Sequence, residues 1–102
     1  MEKLGHQERR KHPRKACSID AACATWRGGF SGTIKDISYG GMFVGTDAEL
    51  SSREDVLASL FPSVKRDPMR VNGQIAWCSP RGVGLRFTSQ LSQELEDMIA
   101  SL

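Results

Sequence analysis

Apolar residues recur at every second position along most of this chain and then, near its end, at helical spacing. That single switch restricts the fold to a set of strands closed off by one helix. From Lys15 to Thr25 the odd positions Cys17, Ile19, Ala21 and Cys23 make an apolar face opposite Ser18 and Asp20, as in a half-buried strand. Trp26-Arg27-Gly28-Gly29 supplies a turn, and Phe30 to Ile37, interrupted by Gly32 and Lys35, is the second arm of a hairpin. Asp36 to Gly41 reads as a turn by composition and leads into a short buried strand at Met42-Phe43-Val44. Arg53 to Leu60 is compatible with a strand or a helical turn before Pro62, and a strand is favoured. Met69 to Trp77 alternates, with Met69, Val71, Ile75 and Trp77 assigned to the core face. Ser79-Pro80-Arg81-Gly82 then turns the chain into Val83 to Phe87. After Ser89, the residues Leu91, Leu95, Met98, Ile99 and Leu102 form one stripe of an amphipathic helix expected over 91–102, with Ser89 or Ser92 as its N-cap. The expected fold is all-β with a C-terminal helix: a small antiparallel barrel of about six strands whose open end or side the helix covers.

A chain of 102 residues has room for one such core. Its three cysteines, Cys17, Cys23 and Cys78, are odd in number and lack C-x-x-C spacing, which favours reduced structural thiols over disulfides or a zinc ribbon. Met1 to Glu8 contains no apolar leader, and no stretch is long enough to span a bilayer, so a cytoplasmic protein without membrane insertion is expected. The net charge of +2 conceals an asymmetry. Lys3, Arg9, Arg10, Lys11, Arg14 and Lys15 face only Glu2 and Glu8 in the first fifteen residues, and the rest of the chain is slightly acidic. Residues 1–14 are therefore expected to be a flexible basic arm ahead of a domain over 15–102. Charge concentrated in an arm suits a compact anion at least as well as a nucleic acid, whose binders more often spread it over a face.

Two motifs carry chemistry. Arg10-Lys11-His12-Pro13-Arg14 sets two guanidiniums four residues apart, and Pro13 keeps the segment out of a helix. Arginine presents a planar fork of donors that pairs with phosphate or with the O6 and N7 edge of guanine, and its flat face stacks on a base. In isolation an R-x-x-x-R is most often a solvated tail. The second motif, Asp36-x-Ser38-x-x-Gly41, lies where a strand enters a turn. There a carboxylate and a hydroxyl two residues apart can address one flat ligand edge, and guanine N1 and N2 donors suit Asp36. Gly41 omits a Cβ where a ring or another backbone segment comes close, and Gly40 loosens the turn. Here the commonplace alternative is a turn in which Asp36 and Ser38 bond only their own backbone.

An R-x-x-x-R before the first strand, a D-x-S-x-x-G after the second, the Gly84-Leu85-Arg86-Phe87 strand and a C-terminal helix together resemble the PilZ family over about Glu8 to Leu102. The resemblance implies a receptor for cyclic di-GMP that signals to a downstream protein partner. It implies that Arg10 and Arg14 engage phosphates and guanine Hoogsteen edges, while Asp36, Ser38 and Gly41 hold a guanine against the barrel. Arg9 occupies the position that in the family influences whether one ligand or a stacked pair binds, and an arginine there favours the pair. The arm from about Gln7 to Arg14, with almost nothing apolar to bury, is expected to be mobile when free and to order around the ligand.

Other functions fit less well. The only histidines, His6 and His12, lie in the arm without a scaffold for a general base, so no enzyme is expected. The cysteine spacing lacks the paired knuckle of a zinc site, so no metal is expected. A nucleic-acid-binding barrel would need a stacking platform, and of only seven aromatics several fall on expected core faces. The remaining alternative is a PilZ-type interaction adaptor that works without ligand.

Overall fold

The alternation seen in the sequence becomes six antiparallel strands in the computed structural model, which describes residues 12–102. They are β1 (Lys15–Thr25), β2 (Gly28–Ile37), β3 (Gly41–Gly45), β4 (Asp55–Phe61), β5 (Met69–Ser79) and β6 (Gly82–Phe87), followed by helix α1 (Gln93–Ser101). Around the sheet the order is β1, β2, β3, β6, β5, β4, and β4 pairs back to β1 from Asp20↔Phe61 to Ala24↔Leu57, so the sheet closes into a barrel. Closure removes every strand edge that could otherwise recruit a foreign strand. Arg9 and Arg10 lie outside the described residues, as does most of the 1–14 arm.

The inward residues do what the period demands. Ile19, Ala21 and Cys23 of β1, Ile34 and Ile37 of β2, Met42 and Val44 of β3, Val56, Ala58 and Leu60 of β4, Met69, Val71 and Ile75 of β5, and Val83 and Leu85 of β6 form one buried cluster. Burial pushes the Cys23 thiol up to about 11, so it stays protonated and packs as a small apolar group. Cys78 is free and exposed, with its Sγ donating to the Leu50 carbonyl at 3.3 Å.

Leu95, Met98 and Ile99 of α1 join the same cluster, so the helix covers the core as expected. Ser92 is the N-cap, its hydroxyl accepting from the Leu95 amide at 3.2 Å. Ser89 instead accepts from the Asn72 amide at 3.1 Å and ties the linker to β5. The helix has no basic residue in its last turn. Lys15, from the first residue of β1, supplies one by donating to the Ile99 and Ala100 carbonyls at 3.0 and 3.3 Å. The helix is therefore anchored to the strand that begins directly after Arg14.

Three register shifts interrupt the ladders: between Ala16 and Ile19 of β1, between Ile34 and Asp36 of β2, and between Ile75 and Trp77 of β5. The last corrects an expectation. Trp77 was assigned to the core with Met69, Val71 and Ile75, but it is 46% exposed and lies outside the barrel. Ile75 pairs with Leu85 and Trp77 with Gly84, so two steps on β5 match one on β6, and Ala76 is the extra residue. One inserted residue inverts the phase of everything beyond it, and Trp77 turns outward.

Candidate functional site

The rim at which β1 starts and β2 ends gathers most of the chemistry that the sequence singled out. An open cleft of about 300 Å³ there is lined by His12, Arg14, Ser38, Gly40 and Gly41, and on its far side by Ala76, Trp77, Gly84, Leu85 and Arg86. Arg14 extends from the residue before β1, whose Lys15 pairs with Ile37 at the end of β2, and this pairing brings it beside Asp36. Its Nη1 lies 3.3 Å from Asp36 Oδ1, with both side chains about a third exposed (30% and 33%). The contact is within ion-pair range but off the line of a hydrogen bond, and among the described residues no donor is directed at the buried Oδ1. Arg14 is thus half-packed against the barrel, where the sequence suggested an exposed arm. The same carboxylate, after burial, contributes to raising the Cys17 thiol.

Ser38 is buried and spends its hydroxyl on its own turn. The Ser38 amide donates to the Gly41 carbonyl at 2.8 Å, and the Gly40 amide donates to Ser38 Oγ at 3.1 Å. Its role in the free protein is to fix the loop that carries Gly40 and Gly41. Those two glycines serve different purposes. A Cβ on Gly41 would run into the carbonyl oxygen of Leu85, because β3 and β6 pair there (Gly41↔Arg86). Among the described residues, a Cβ on Gly40 would meet only His12 Cδ2 at 3.4 Å and Ser38 Oγ at 3.9 Å. Next to this turn, His12 packs edge-on against Tyr39, with ring centroids 5.8 Å apart.

Sequence reasoning missed the far wall. Trp77 stacks on Phe43 with centroids 5.4 Å apart and planes inclined by 17°, and a Cβ on Gly84 would collide with the indole. The absence of that Cβ lets the ring lie over the β6 backbone and present aromatic surface to the cleft. Little in the sequence marks it, since Trp77 keeps the period of Met69, Val71 and Ile75 and only the bulged pairing sets it opposite Gly84. Arg86 adds a second guanidinium. It donates to Gln74 Oε1 at 2.8 Å and, among the described residues, pairs with no carboxylate. The cleft therefore offers two guanidiniums, an aromatic surface and a glycine turn, while Asp36 does not line it and lies behind Arg14, in contact with that guanidinium. This is a set of groups suited to a flat base attached to phosphate.

The PilZ domain family model matches residues 8–102, the whole barrel and helix together with both motifs. The chain belongs to the PilZ domain family. That family comprises cyclic di-GMP receptors, which are binding and adaptor modules. Solved structures agree on the PilZ fold. The Bacillus subtilis inhibitor of motility (MotI/DgrA) superposes with a TM-score of 0.72 at 16% identity, over 91% of this chain and 48% of the other. The PilZ domain of CeSA from a cellulose-synthesizing bacterium gives 0.65 at 18% identity, over 86% and 91%. This PilZ chain thus spans about half the length of the first of these proteins. No curated protein matches the sequence. Among the described residues, no helix is long and apolar enough to cross a membrane.

The different surroundings of Gly40 and Gly41 give a direct check on this geometry. Gly41→Ala is expected to destabilise the domain by ~1–3 kcal/mol, because the obstacle is β6 backbone and cannot rotate away. Gly40→Ala should cost less than ~1 kcal/mol, since only a histidine side chain must give way. Urea unfolding of the two variants measures both, and equal costs would contradict the packing of the turn.

Proposed function

We propose that this PilZ domain is a cyclic di-GMP receptor that binds its ligand at the Arg14–Asp36 rim, orders its N-terminal arm around it and thereby signals to a protein partner. The observation that supports this reading is the convergence of Arg14, Ser38, Gly40 and Gly41 on one cleft, with Asp36 held directly beside Arg14. In the free protein Arg14 and Asp36 satisfy each other loosely. A partly solvated pair of this kind is worth only ~0–1 kcal/mol. Charge-assisted bonds from Arg14 to a phosphate or to guanine O6 and N7 contribute ~1.5–3 kcal/mol, so the exchange is favourable. Once Arg14 turns to the ligand, Asp36 is released to accept from guanine N1 and N2. Ser38 keeps the turn in shape, and Gly40 leaves space for the base to approach. Trp77 provides a stacking surface, and Arg86 supplies positive charge on the opposite wall.

Arg10 completes the clamp from the arm, and Arg9 adds a further guanidinium plane that favours a stacked ligand pair. Because ordering costs ~1–2 kcal/mol per residue, the arm orders only when the ligand supplies compensating contacts. The repositioned arm is the surface a partner reads.

Arg14→Ala should lower cyclic di-GMP affinity by roughly ten- to a hundredfold with the fold retained, as measured by calorimetric titration alongside a circular dichroism spectrum. Near-normal affinity in the folded variant would remove Arg14 from the site. For the arm, trypsin should cut after Arg9, Arg10 or Lys11 markedly more slowly with saturating cyclic di-GMP than without it. Identical rates, with binding verified in the same sample, would dissociate the arm from the signal.

A further inference from the structure

The opposite end of the β1–β2 ladder holds a second concentration of unusual chemistry. Where Thr25 pairs with Gly28, the two-residue turn projects Trp26, 81% exposed, and Arg27, whose guanidinium lies 5.7 Å from the indole centroid. Arg27 reaches across to the β3–β4 connection. There its Nε donates to Glu54 Oε2 at 2.8 Å, its Nη2 lies 2.7 Å from the same oxygen, and Nη2 donates to Ser51 Oγ at 3.3 Å. Glu54 has a side chain only 6% exposed, and its other oxygen, Oε1, is buried with no donor among the described residues. Its neighbour Arg53 adopts a left-handed backbone (φ 72°), the one described non-glycine residue with positive φ. Asp55 receives only a long bond from Gln74 Nε2, at 3.4 Å, and pairs with no cation among the described residues.

Three costly features therefore coincide: a desolvated carboxylate oxygen without a partner, a left-handed arginine and a fully presented tryptophan. The residues that carry them, Glu54, Arg53 and Trp26, line one cleft of about 500 Å³ together with Arg27, Ser51, Ser52 and Asp55. A second cleft, of about 440 Å³, shares Trp26 and Asp55 and continues along Ala24 and Leu57, which pair across β1 and β4; Leu57 is 45% exposed. Neither cleft contains a residue of the nucleotide rim. Stability alone does not account for the cluster, because an apolar residue at 54 and a glycine at 53 would each relieve a cost.

We infer that this end of the barrel is a docking site for a protein partner that presents an arginine side chain. Arg27 neutralises one of the two carboxylates and uses only one oxygen of Glu54, while Arg53 bonds to neither. An incoming guanidinium would supply donors to Asp55, and its flat face would stack on Trp26. Residues of the partner flanking the arginine would cover Leu57 and Ala24.

The probe is N-acetyl-arginine amide, with N-acetyl-citrulline amide as its neutral isostere, titrated while the two indole N–H resonances are followed by NMR. The arginine compound should displace the Trp26 resonance and leave Trp77 unmoved, binding at least ~fivefold more tightly than the citrulline compound. Asp55→Asn, on the exposed face of β4, should remove that preference with the fold intact. Equal responses to the two compounds, an unchanged preference in Asp55→Asn, or no displacement of Trp26 would overturn the inference. No step requires cyclic di-GMP, so the outcome is independent of the nucleotide site.

Discussion

Closure of the sheet is the constraint on which everything else in this domain depends. By pairing with β2 on one side and β4 on the other, β1 leaves no edge, and the interior must be filled from alternate residues of strands only five to eleven residues long. Medium-sized side chains such as Ile34, Met42, Leu60 and Ile75 do so, with α1 adding Leu95 and Ile99. Because the core is complete without them, the rims are free to carry polar and exposed aromatic groups, and both are used.

The three register shifts explain why one rim became a cleft. Each adds a residue to a ladder that would otherwise run straight, and each lies within a few residues of the site: near Arg14, at Asp36 and at Trp77. Bulges at a barrel rim bend the strand and redirect side chains. Here they set Asp36 beside Arg14 and turn Trp77 out of the core to face them. Gly84 and Gly41 are the counterpart of that bending, since each accommodates a close approach that any side chain would block. The Lys15 bonds to the end of α1 extend the same strand's influence to the helix, linking the motif residue Arg14 to the far side of the core through one neighbour.

The strands, the turns and the helix were legible because period and turn chemistry are local properties. Cys17 to Cys23, Met69 to Ile75 and Leu95 to Ile99 each reveal their face without knowledge of the rest of the chain. The spacing of the motifs was equally legible, and Asp36 and Arg14 do meet. What was hidden depended on partners in other strands. Trp77 followed the core period until a one-residue bulge reversed it, and a bulge leaves only a weak mark in sequence. Arg86 looked like an ordinary outward residue until the β3–β6 pairing set it opposite Gly41. Glu54 gave no signal at all, since its burial arises from Arg27 folding over it from a different hairpin.

The central claim is that a cyclic dinucleotide, and not a nucleic acid strand, is what the rim recognises. The most direct test is a calorimetric titration of the unmodified protein with cyclic di-GMP and, in parallel, with a single-stranded oligonucleotide, each at low and high salt. Specific recognition by a few fixed groups predicts saturable cyclic di-GMP binding that weakens only modestly with salt, and oligonucleotide binding that is weak and collapses as counterions compete. Tight oligonucleotide binding together with no measurable heat from cyclic di-GMP would contradict the account.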